Sequence, residues 1–379
     1  MKTYKHLFEK LITRENIRAA IHNSAKGKTK RRDVKLVLSN IDKYIEKVRN
    51  ALCNKTLKPK LHKAKLIIDK SSKKERIILQ PKYIIDQIIH HAVIQVLEPI
   101  LLKGAYEYSC GSIVGKGGIF GKRYIERFIR ENKPSEVKYI LKFDIRHYFQ
   151  TIDVNILKEK FKRVIADADM LEVIFYILDS NKALLNDELI DLHLPIGNYP
   201  SQCFANWNLQ EVDHFIKEKL KAKCYIRYMD DFVIFGNNKK KLHKDFLEIK
   251  KYLENLNLEI KANWQIFKFD YTDKNGIQRG RPLDFMGYKF YRNRTVLRRT
   301  IMLRATRKAA NIGKKKNITW FDSSQMISYL GWFSHAKCNH VYTDRIRPYV
   351  NVNTCKKLIG NKQRRLNDGI TIQRSSKLH

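Results

Sequence analysis

The order of hydrophobic and polar positions predicts helices and strands that alternate without a regular repeat. Residues 3–52 carry two helical patterns with many basic residues. The segments KLHKAKLIID (60–69) and RIILQP (76–81) predict two strands joined by the polar turn KSSKKE. A helix is expected over about 82–103, followed by the glycine-rich loop YSCGSIVGKGGIFG and the helix KRYIERFIRE.

The second half of the chain continues this mixture. VKYILKFDI (137–145) predicts a strong strand, helices are expected over 154–179, and CYIRYMDDFVIF (224–235) predicts a hairpin. LDFMGYKFY (283–291) predicts one further strand, and Asn275-Gly276 is typical of a hairpin turn. Strands and helices that mix without βαβ alternation indicate an α+β fold, with helices on one face of the sheet.

Charge narrows the range of functions. The 379 residues include 76 Lys and Arg against 38 Asp and Glu, a net charge of +38. Such an excess costs self-repulsion and favours a polyanionic partner, above all nucleic acid. The longest apolar run, 84–102, is interrupted by Asp86, His90 and Glu98 and is expected to be too polar to span a bilayer. The N-terminus has no apolar signal region, which predicts a cytoplasmic protein.

Three aspartates are the strongest candidates for chemistry. Asp230 and Asp231 lie at the tip of a hairpin with apolar arms, and Asp144 ends an apolar strand. Carboxylates held together at the edge of a core repel one another unless a cation lies between them. If the two strands are neighbours, the aspartates suit a two-magnesium centre for phosphoryl transfer. No His or Cys lies at these tips, which disfavours zinc.

YMDD in an apolar hairpin, after FDIRHYF, resembles the palm of a reverse transcriptase, and the likeness runs in order from about residue 55 to about 292. The resemblance implies a right-hand polymerase of fingers, palm and thumb. It divides the chain into N-terminal helices and fingers (1–137), a palm (138–291), a basic helical thumb (292–360) and a basic flexible tail (361–379).

The resemblance also implies roles for individual residues. Asp144, Asp230 and Asp231, with Ile145 as a further metal contact, would hold two Mg²⁺ ions, for which Mn²⁺ could substitute. Arg76, with Lys74 or Lys73, would reach the incoming triphosphate, and Phe149 would exclude a ribose 2′-hydroxyl. The remaining assignments are Ile196, Gly197 and Gln202 at the nucleotide; Phe285, Met286, Gly287 and Tyr288 in the primer grip; and Lys116, Arg298, Arg299, Arg304, Arg307 and Lys308 on nucleic acid.

One family element departs from its usual form. Many relatives carry a lysine after the aspartate hairpin that protonates the pyrophosphate. LEIKANWQI places Asn263 and Trp264 near that position and Lys261 slightly early, so the general acid is left unassigned.

The loop LPIGNYPSQ (194–202) narrows the resemblance further. Most reverse transcriptases have Leu-Pro-Gln-Gly there, and this chain has Ile196 in place of the glutamine. The form resembles reverse transcriptases of diversity-generating retroelements of bacteria, archaea and phages. These enzymes copy a template RNA with errors opposite adenines, diversify a variable protein gene and work with a small basic accessory protein that forms a ring. Glutamine can bond a correctly seated nucleotide, whereas isoleucine makes only non-directional contacts.

Three alternatives stay open. A reverse transcriptase of the group II intron, retron or phage-defence kind would keep the palm, although the chain has neither LPQG nor a downstream CxxC module. An inert RNA-binding protein could keep the fold, but an acidic cluster would lower its affinity for RNA. A Mg²⁺-dependent nuclease would explain the aspartates and the charge but not the order of the other segments.

Overall fold

The computed structural model of the protein describes residues 3–68 and 75–361. The described residues form two compact units, each made of two chain segments. Unit 1 lies within Met1–Gly117 and Leu141–Ile266, and unit 2 lies within Gly118–Ile140 and Phe267–His379. The limits expected for fingers, palm and thumb follow functional regions rather than these units, and they stay predictions. The predicted tail lies, apart from residue 361, outside the described residues.

The elements confirm the predicted mixture of helices and strands. The helices are α1 Leu7–Leu11, α2 Arg14–Ala25, α3 Arg32–Ser39, α4 Ile41–Cys53, α5 Ile88–Leu101, α6 Gly118–Glu131, α7 Tyr148–Thr151, α8 Val154–Val164, α9 Ala168–Asp179, α10 Tyr199–Asn208, α11 Gln210–His214, α12 Lys239–Glu254, α13 Arg299–Gly313, α14 Trp320–Phe333, α15 Asn339–Arg345 and a last helix over 352–361. The strands are β1 His62–Ile68, β2 Glu75–Gln80, β3 Ser109–Cys110, β4 Tyr139–Asp144, β5 Lys182–Leu185, β6 Glu188–Asp191, β7 Cys224–Tyr228, β8 Asp231–Gly236, β9 Gln265–Lys268, β10 Tyr271–Thr272, β11 Gln278–Arg279, β12 Leu283–Phe285, β13 Tyr288–Phe290 and β14 Thr295–Leu297.

The N-terminal segment of unit 1 forms four helices rather than two. Thr13 begins α2, where its hydroxyl accepts a hydrogen bond from the amide of Asn16 at 3.2 Å. This N-cap satisfies one of the amides that a helix start leaves unpaired. Asn40, with φ −139° and ψ 48°, separates α3 from α4. Apolar residues on one face of each helix are buried, as the spacing predicts.

A four-stranded sheet follows, in the order β2-β1-β5-β6. The predicted pairing of β1 with β2 is confirmed as an antiparallel ladder that joins Lys63 to Gln80 and Ile68 to Glu75. The hairpin of β5 and β6 was not predicted, and β5 adds to β1 in parallel. The predicted helix over 82–103 is regular only from Ile88, because Ile85 has φ +77° in the turn before it.

The second sheet has the order β3-β7-β8-β4-β9. The predicted hairpin of β7 and β8 is confirmed, with Tyr228 opposite Asp231. Strand β8 lies beside β4, the strand that ends at Asp144. The stacked rings of Phe143 and Phe232, 4.6 Å apart, join these neighbouring strands in the core of unit 1.

Unit 2 combines short hairpins with helices. The predicted turn at Asn275-Gly276 joins β10 to β11, and Gly276 has φ +76°. The single strand expected over 283–291 is wrong. Met286 and Gly287, with φ +48° and +84°, turn the chain between β12 and β13, and a pair of positive φ angles is typical of a tight hairpin turn.

By length and composition, Tyr83–Gly104 is the one described helical stretch that could cross a membrane, contrary to the expectation from its polar residues. Half of its apolar window is buried inside the protein, where Asp86 and His90 are 1 % and 2 % exposed. The core helix of a protein without membrane spans passes the same test, so this feature is weak support for a span.

Candidate active site

The fold brings the three predicted aspartates together in unit 1. Asp144 ends β4, Asp230 lies in the turn between β7 and β8, and Asp231 begins β8. The amide of Ile145 donates a hydrogen bond to the carbonyl of Asp230 at 3.1 Å, which ties the two strand ends to each other. The buried side chain of Ile145 has no atom that could bind a metal, so only its carbonyl oxygen could serve as the predicted metal contact.

The aspartate turn has an unusual backbone. Met229 has φ +55°, a conformation that side chains other than glycine seldom adopt. The amide of Met229 donates to the carbonyl of Cys110 at 2.9 Å, which fastens the turn to β3. Gly111 leaves room for it, because a Cβ at Gly111 would lie 2.9 Å from Cγ of Met229. Backbone strain of this kind is often found at functional sites.

The site is short of positive charge. Burial and the carboxylate of Asp144 raise the pKa of Asp230 to about 6. Burial, against the opposing charge of Lys142 at 3.6 Å, raises the pKa of Asp231 to about 7. Both shifts mean that the ionised aspartates repel one another and are poorly solvated, a state that a bound cation would relieve.

Lys261, which the sequence left without a role, lies on the first aspartate. Its ammonium forms an ion pair with Oδ2 of Asp144, and its amide donates to the carbonyl of Asp144 at 2.9 Å. Lys261 comes slightly earlier in the sequence than the usual lysine, and in the fold it contacts a carboxylate of the site directly.

The carboxylates fit a hard divalent cation. Oδ1 of Asp144 and Oδ1 of Asp231 are buried and have no hydrogen-bond partner, so both oxygens offer lone pairs without competition. Oxygen ligands of this kind suit Mg²⁺. As the side chains now lie, with Lys261 on Asp144, no group of three His, Cys, Asp or Glu residues within 3–68 and 75–361 is arranged to hold a metal ion.

The raised pKa values predict how pH acts on the metal-free protein. The folded-state pKa of Asp231 lies above its usual value of 3.8, so the folded state binds the proton more tightly than the unfolded state. The contribution of Asp231 to the free energy of unfolding should therefore fall between about pH 4 and pH 7, by on the order of 2 kcal/mol. Burial lowers the pKa of His90 and of His91, so these two histidines change the stability in the opposite direction over part of this range. Urea unfolding of the wild type and of Asp231→Asn in EDTA at pH 5 and pH 8 would isolate this contribution as the difference between the two proteins.

Asp231→Asn supplies the control for that measurement. The substitution should make the change in the free energy of unfolding from pH 5 to pH 8 more favourable by that amount. It should also raise the free energy of unfolding of the metal-free protein at pH 8, because one repelling charge is removed. An unchanged pH dependence in this variant would contradict the role given to Asp231.

Main-chain hydrogen bonds join the segments that carry three predicted nucleotide-binding residues, Arg76, Phe149 and Ile196. The amide of Leu79 in β2 donates to the carbonyl of Ile196 at 2.8 Å, and the amide of Leu194 donates to the carbonyl of Phe149 at 3.1 Å. Ile196 and Phe149 are both half-buried, and Arg76 is exposed on β2. Lys73 and Lys74 lie outside the described residues.

Gly197 and Gln202 line a cavity of about 1040 Å³ in unit 1. His90 and His91, which the sequence analysis did not select, also line it, and His91 stacks on Tyr199 at 3.8 Å. Neither Phe149 nor the aspartates line this cavity, so the structure does not bring all the predicted nucleotide contacts into one pocket. A pair of adjacent histidines in an apolar helix was the available signal.

The predicted nucleic-acid contacts differ in what they already bind. Arg299 and Arg307 are exposed on α13, and Arg304 is half-buried there. Among the six, Lys116 donates to the carbonyl of Glu107 at 2.9 Å, Arg298 pairs with Asp284 at 2.5 Å and Lys308 pairs with Asp322 at 2.7 Å. Their roles on nucleic acid stay predictions.

The predicted primer grip is the turn between β12 and β13 in unit 2. Phe285 and Tyr288 are buried at 0 % and 2 % exposure. A Cβ on Gly287 would lie 2.8 Å from the ring of Trp332, so the turn packs closely on α14. Met286 is the most exposed of the four residues, and their role at a primer stays a prediction.

A cluster that the sequence analysis missed lies beneath the aspartate turn. Arg227 and Asp213 form an ion pair of 2.6 Å with both side chains at 0 % exposure. The available signal was an arginine in the middle of the apolar strand CYIRYM. A charged side chain in that setting is rarely buried without a partner.

Comparisons with known proteins identify the family. Residues 42–290, more than half of the chain, match the sequence profile described as reverse transcriptase (RNA-dependent DNA polymerase). No curated protein matches the chain.

Several solved structures are similar. Telomerase from Candida tropicalis with a TWJ fragment of telomeric RNA is 13% identical, with a TM-score of 0.48 over 86% of this chain and 58% of that one. Telomerase from Candida albicans with the same kind of fragment is 14% identical, with a TM-score of 0.45 over 82% and 58%. Apo telomerase from Candida tropicalis is 15% identical, with a TM-score of 0.47 over 78% and 57%. The chain thus spans less than two thirds of the length of each. On its own sequence match, the chain belongs to the reverse transcriptase family.

Proposed function

We propose that this chain is an RNA-directed DNA polymerase that copies a template RNA by two-metal nucleotidyl transfer. The observation that carries the proposal is the meeting of Asp144, Asp230 and Asp231 on neighbouring strands, with two carboxylate oxygens unpartnered, inside the region that matches the family. The net charge of +38 fits an RNA template and a nucleic-acid product.

In this reaction the primer 3′-hydroxyl attacks the α-phosphorus of a deoxynucleoside triphosphate, and pyrophosphate leaves. Two Mg²⁺ ions would supply the charge that activates the hydroxyl and stabilises the leaving oxygen. Asp144, Asp230 and Asp231 would hold them, with Mn²⁺ as a substitute. The protein contributes fixed carboxylates on rigid strand ends, so that little reorganisation is needed during the reaction. Lys261 would have to leave Oδ2 of Asp144 when that oxygen binds a cation.

We further propose that the enzyme belongs to the diversifying kind and misincorporates opposite template adenines. Ile196 supports this proposal, because its carbonyl is fixed on β2 while its half-buried side chain has no polar group to test the incoming nucleotide. Loss of a directional contact lowers discrimination between correct and tilted base pairs. The partners would be a template RNA, its cDNA and a small basic accessory protein.

Ile196→Gln should lower the error rate, by about 10-fold or less, because a glutamine can hydrogen-bond a correctly seated nucleotide. Sequencing of extension products, with errors tallied by template base, measures the change. Ile196→Val keeps an apolar side chain and serves as the matched control. Equal error spectra for the wild type, Ile196→Gln and Ile196→Val would mean that Ile196 only packs in the loop and does not affect fidelity.

The test of the proposed function is primed extension on a defined RNA template with Mg²⁺ and four deoxynucleotides, with and without the accessory protein. Errors concentrated at adenines are the expected result. Accurate or evenly inaccurate synthesis would move the enzyme to a group II intron, retron or phage-defence lineage. No synthesis, even with cognate RNA and the accessory protein, would favour an inert RNA-binding protein.

A further inference from the structure

All five N–H donors of Arg227, the arginine of the buried ion pair beneath the aspartate turn, have an acceptor. Nε donates to Oδ1 of Asp213 at 2.7 Å, and Nη2 donates to Oδ2 of Asp213 and to the hydroxyl of Ser109, each at 2.6 Å. Nη1 donates to Oδ1 of Asn206 at 3.1 Å and to the carbonyl of Met229 at 2.8 Å. Arginine is the side chain that offers this number of donors in one rigid plane.

These bonds connect α11, α10 and β3 to the turn, through Asp213, Asn206 and Ser109 respectively. Asp213 belongs to α11, and its Oδ1 also accepts from the hydroxyl of Tyr225 at 2.5 Å. Asn206 belongs to α10, the helix that the loop LPIGNYPSQ begins, and its amide donates to the carbonyl of Gly111 at 2.8 Å. The one bond to the turn itself goes to Met229, the residue with φ +55°.

Stability alone does not explain this cluster. Two charges at 0 % exposure have lost their hydration, and apolar side chains of similar volume often stabilise a protein equally well. What apolar side chains cannot do is donate a hydrogen bond to the carbonyl of Met229. That carbonyl immediately precedes Asp230, so the bond fixes the backbone from which Asp230 and the next residue, Asp231, project.

We infer that Arg227 is a positioning residue for the catalytic aspartates. Its guanidinium, oriented by Asp213 and Asn206, holds the carbonyl of Met229 and thereby the direction of the Asp230 and Asp231 side chains. It also connects the helix after the nucleotide loop to the metal-binding turn. The inference rests on the proposed polymerase function for its role in catalysis, but the geometry applies to any metal bound at the turn.

The experiment separates positioning from packing. Arg227→Met alone leaves Asp213 buried without its partner and should lower the melting temperature by roughly 5–10 °C. A triple variant, Arg227→Met with Asp213→Leu and Tyr225→Phe, removes every polar group of the pair and should recover most of that loss. Its kcat should nevertheless stay about 100-fold below that of the wild type, with the KM for deoxynucleotide changed by less than about threefold, since misplacing catalytic groups by 1 Å has effects of this size.

A control variant and a metal-binding measurement distinguish a loss of positioning from a loss of stability. Asp167→Ala removes the carboxylate that caps α9 and accepts from the amides of Leu7 and Phe8, so it should lower the melting temperature without lowering kcat. Mn²⁺ binding, followed by electron paramagnetic resonance, should weaken at least 10-fold in the triple variant and not in Asp167→Ala. A triple variant with wild-type kcat and wild-type Mn²⁺ affinity would overturn the inference. If the wild type binds Mn²⁺ but makes no DNA, the polymerase proposal fails and the Mn²⁺ comparison still decides the positioning role.

Discussion

Asp230→Asn should reduce nucleotide addition by roughly 1000-fold or more, while RNA affinity stays within about twofold of the wild type. The substitution keeps the size of the side chain but removes one of the three carboxylates that hold the cations in the proposed mechanism. Stabilisation of the transferring phosphoryl group by metal ions amounts to several kcal/mol, and each 1.36 kcal/mol is tenfold in rate. Asp230→Ala should give the same result.

The measurement is single-turnover primer extension beside equilibrium RNA binding. Glu259→Gln is the matched control, because Glu259 loses the same charge and lies on the segment bonded to Arg146, yet its side chain is 65 % exposed. That variant should extend primers within about twofold of the wild type. Extension by Asp230→Asn at a comparable rate would remove the metal-centre assignment, and a parallel loss of RNA binding would point to misfolding instead.

Gly197→Val should be the most disruptive change at the nucleotide loop. A Cβ at Gly197 would lie 2.2 Å from the carbonyl oxygen of Leu79 and 2.9 Å from the side chain of Ile78, and the residue has φ +113°. Backbone cannot move aside as a flexible side chain can, so the hydrogen bond between Leu79 and Ile196 should break. We expect a loss of about 3 kcal/mol or more in the free energy of unfolding.

Gly115→Val separates the two causes of that loss. Gly115 also has a positive φ, +78°, but nothing lies within 4 Å of its added Cβ. This variant should therefore show only the backbone strain, on the order of 1 kcal/mol. Chemical unfolding of both variants, with the KM for deoxynucleotide measured in parallel, checks the comparison. Equal effects at the two glycines would mean that contact of the loop with β2 contributes little.

Local patterns predicted the elements that carry the three aspartates, because an apolar strand ending at Asp144 and an apolar hairpin around Asp230 and Asp231 are short-range features. The sequence analysis gave the meeting of these aspartates only as a condition, since it depends on the pairing of β4 with β8. The β1–β2 pair was predictable, because a polar turn joins its strands directly. The α+β class followed from these elements together.

Other features depend on contacts that no local pattern contains. The parallel pairing of β5 with β1 joins residues more than a hundred positions apart, and its short, half-exposed strands carry little periodicity. The sequence pattern did not predict the hairpin at Met286 and Gly287, because apolar residues continue through the turn. The positions of Lys261 and Arg227 depend on side-chain partners from distant elements, which periodicity does not report.

The two-segment composition of unit 2 limits how the chain can be shortened or exchanged. Residues 118–140 belong to unit 2, where the amide of Phe269 donates to the carbonyl of Lys138 and the guanidinium of Arg292 donates to the carbonyl of Val137. A chain cut near residue 266 would keep α6 and residues 132–140 but remove both of these partners. Exchanging unit 2 for that of a relative therefore requires exchanging α6 as well, although more than a hundred residues separate the two segments.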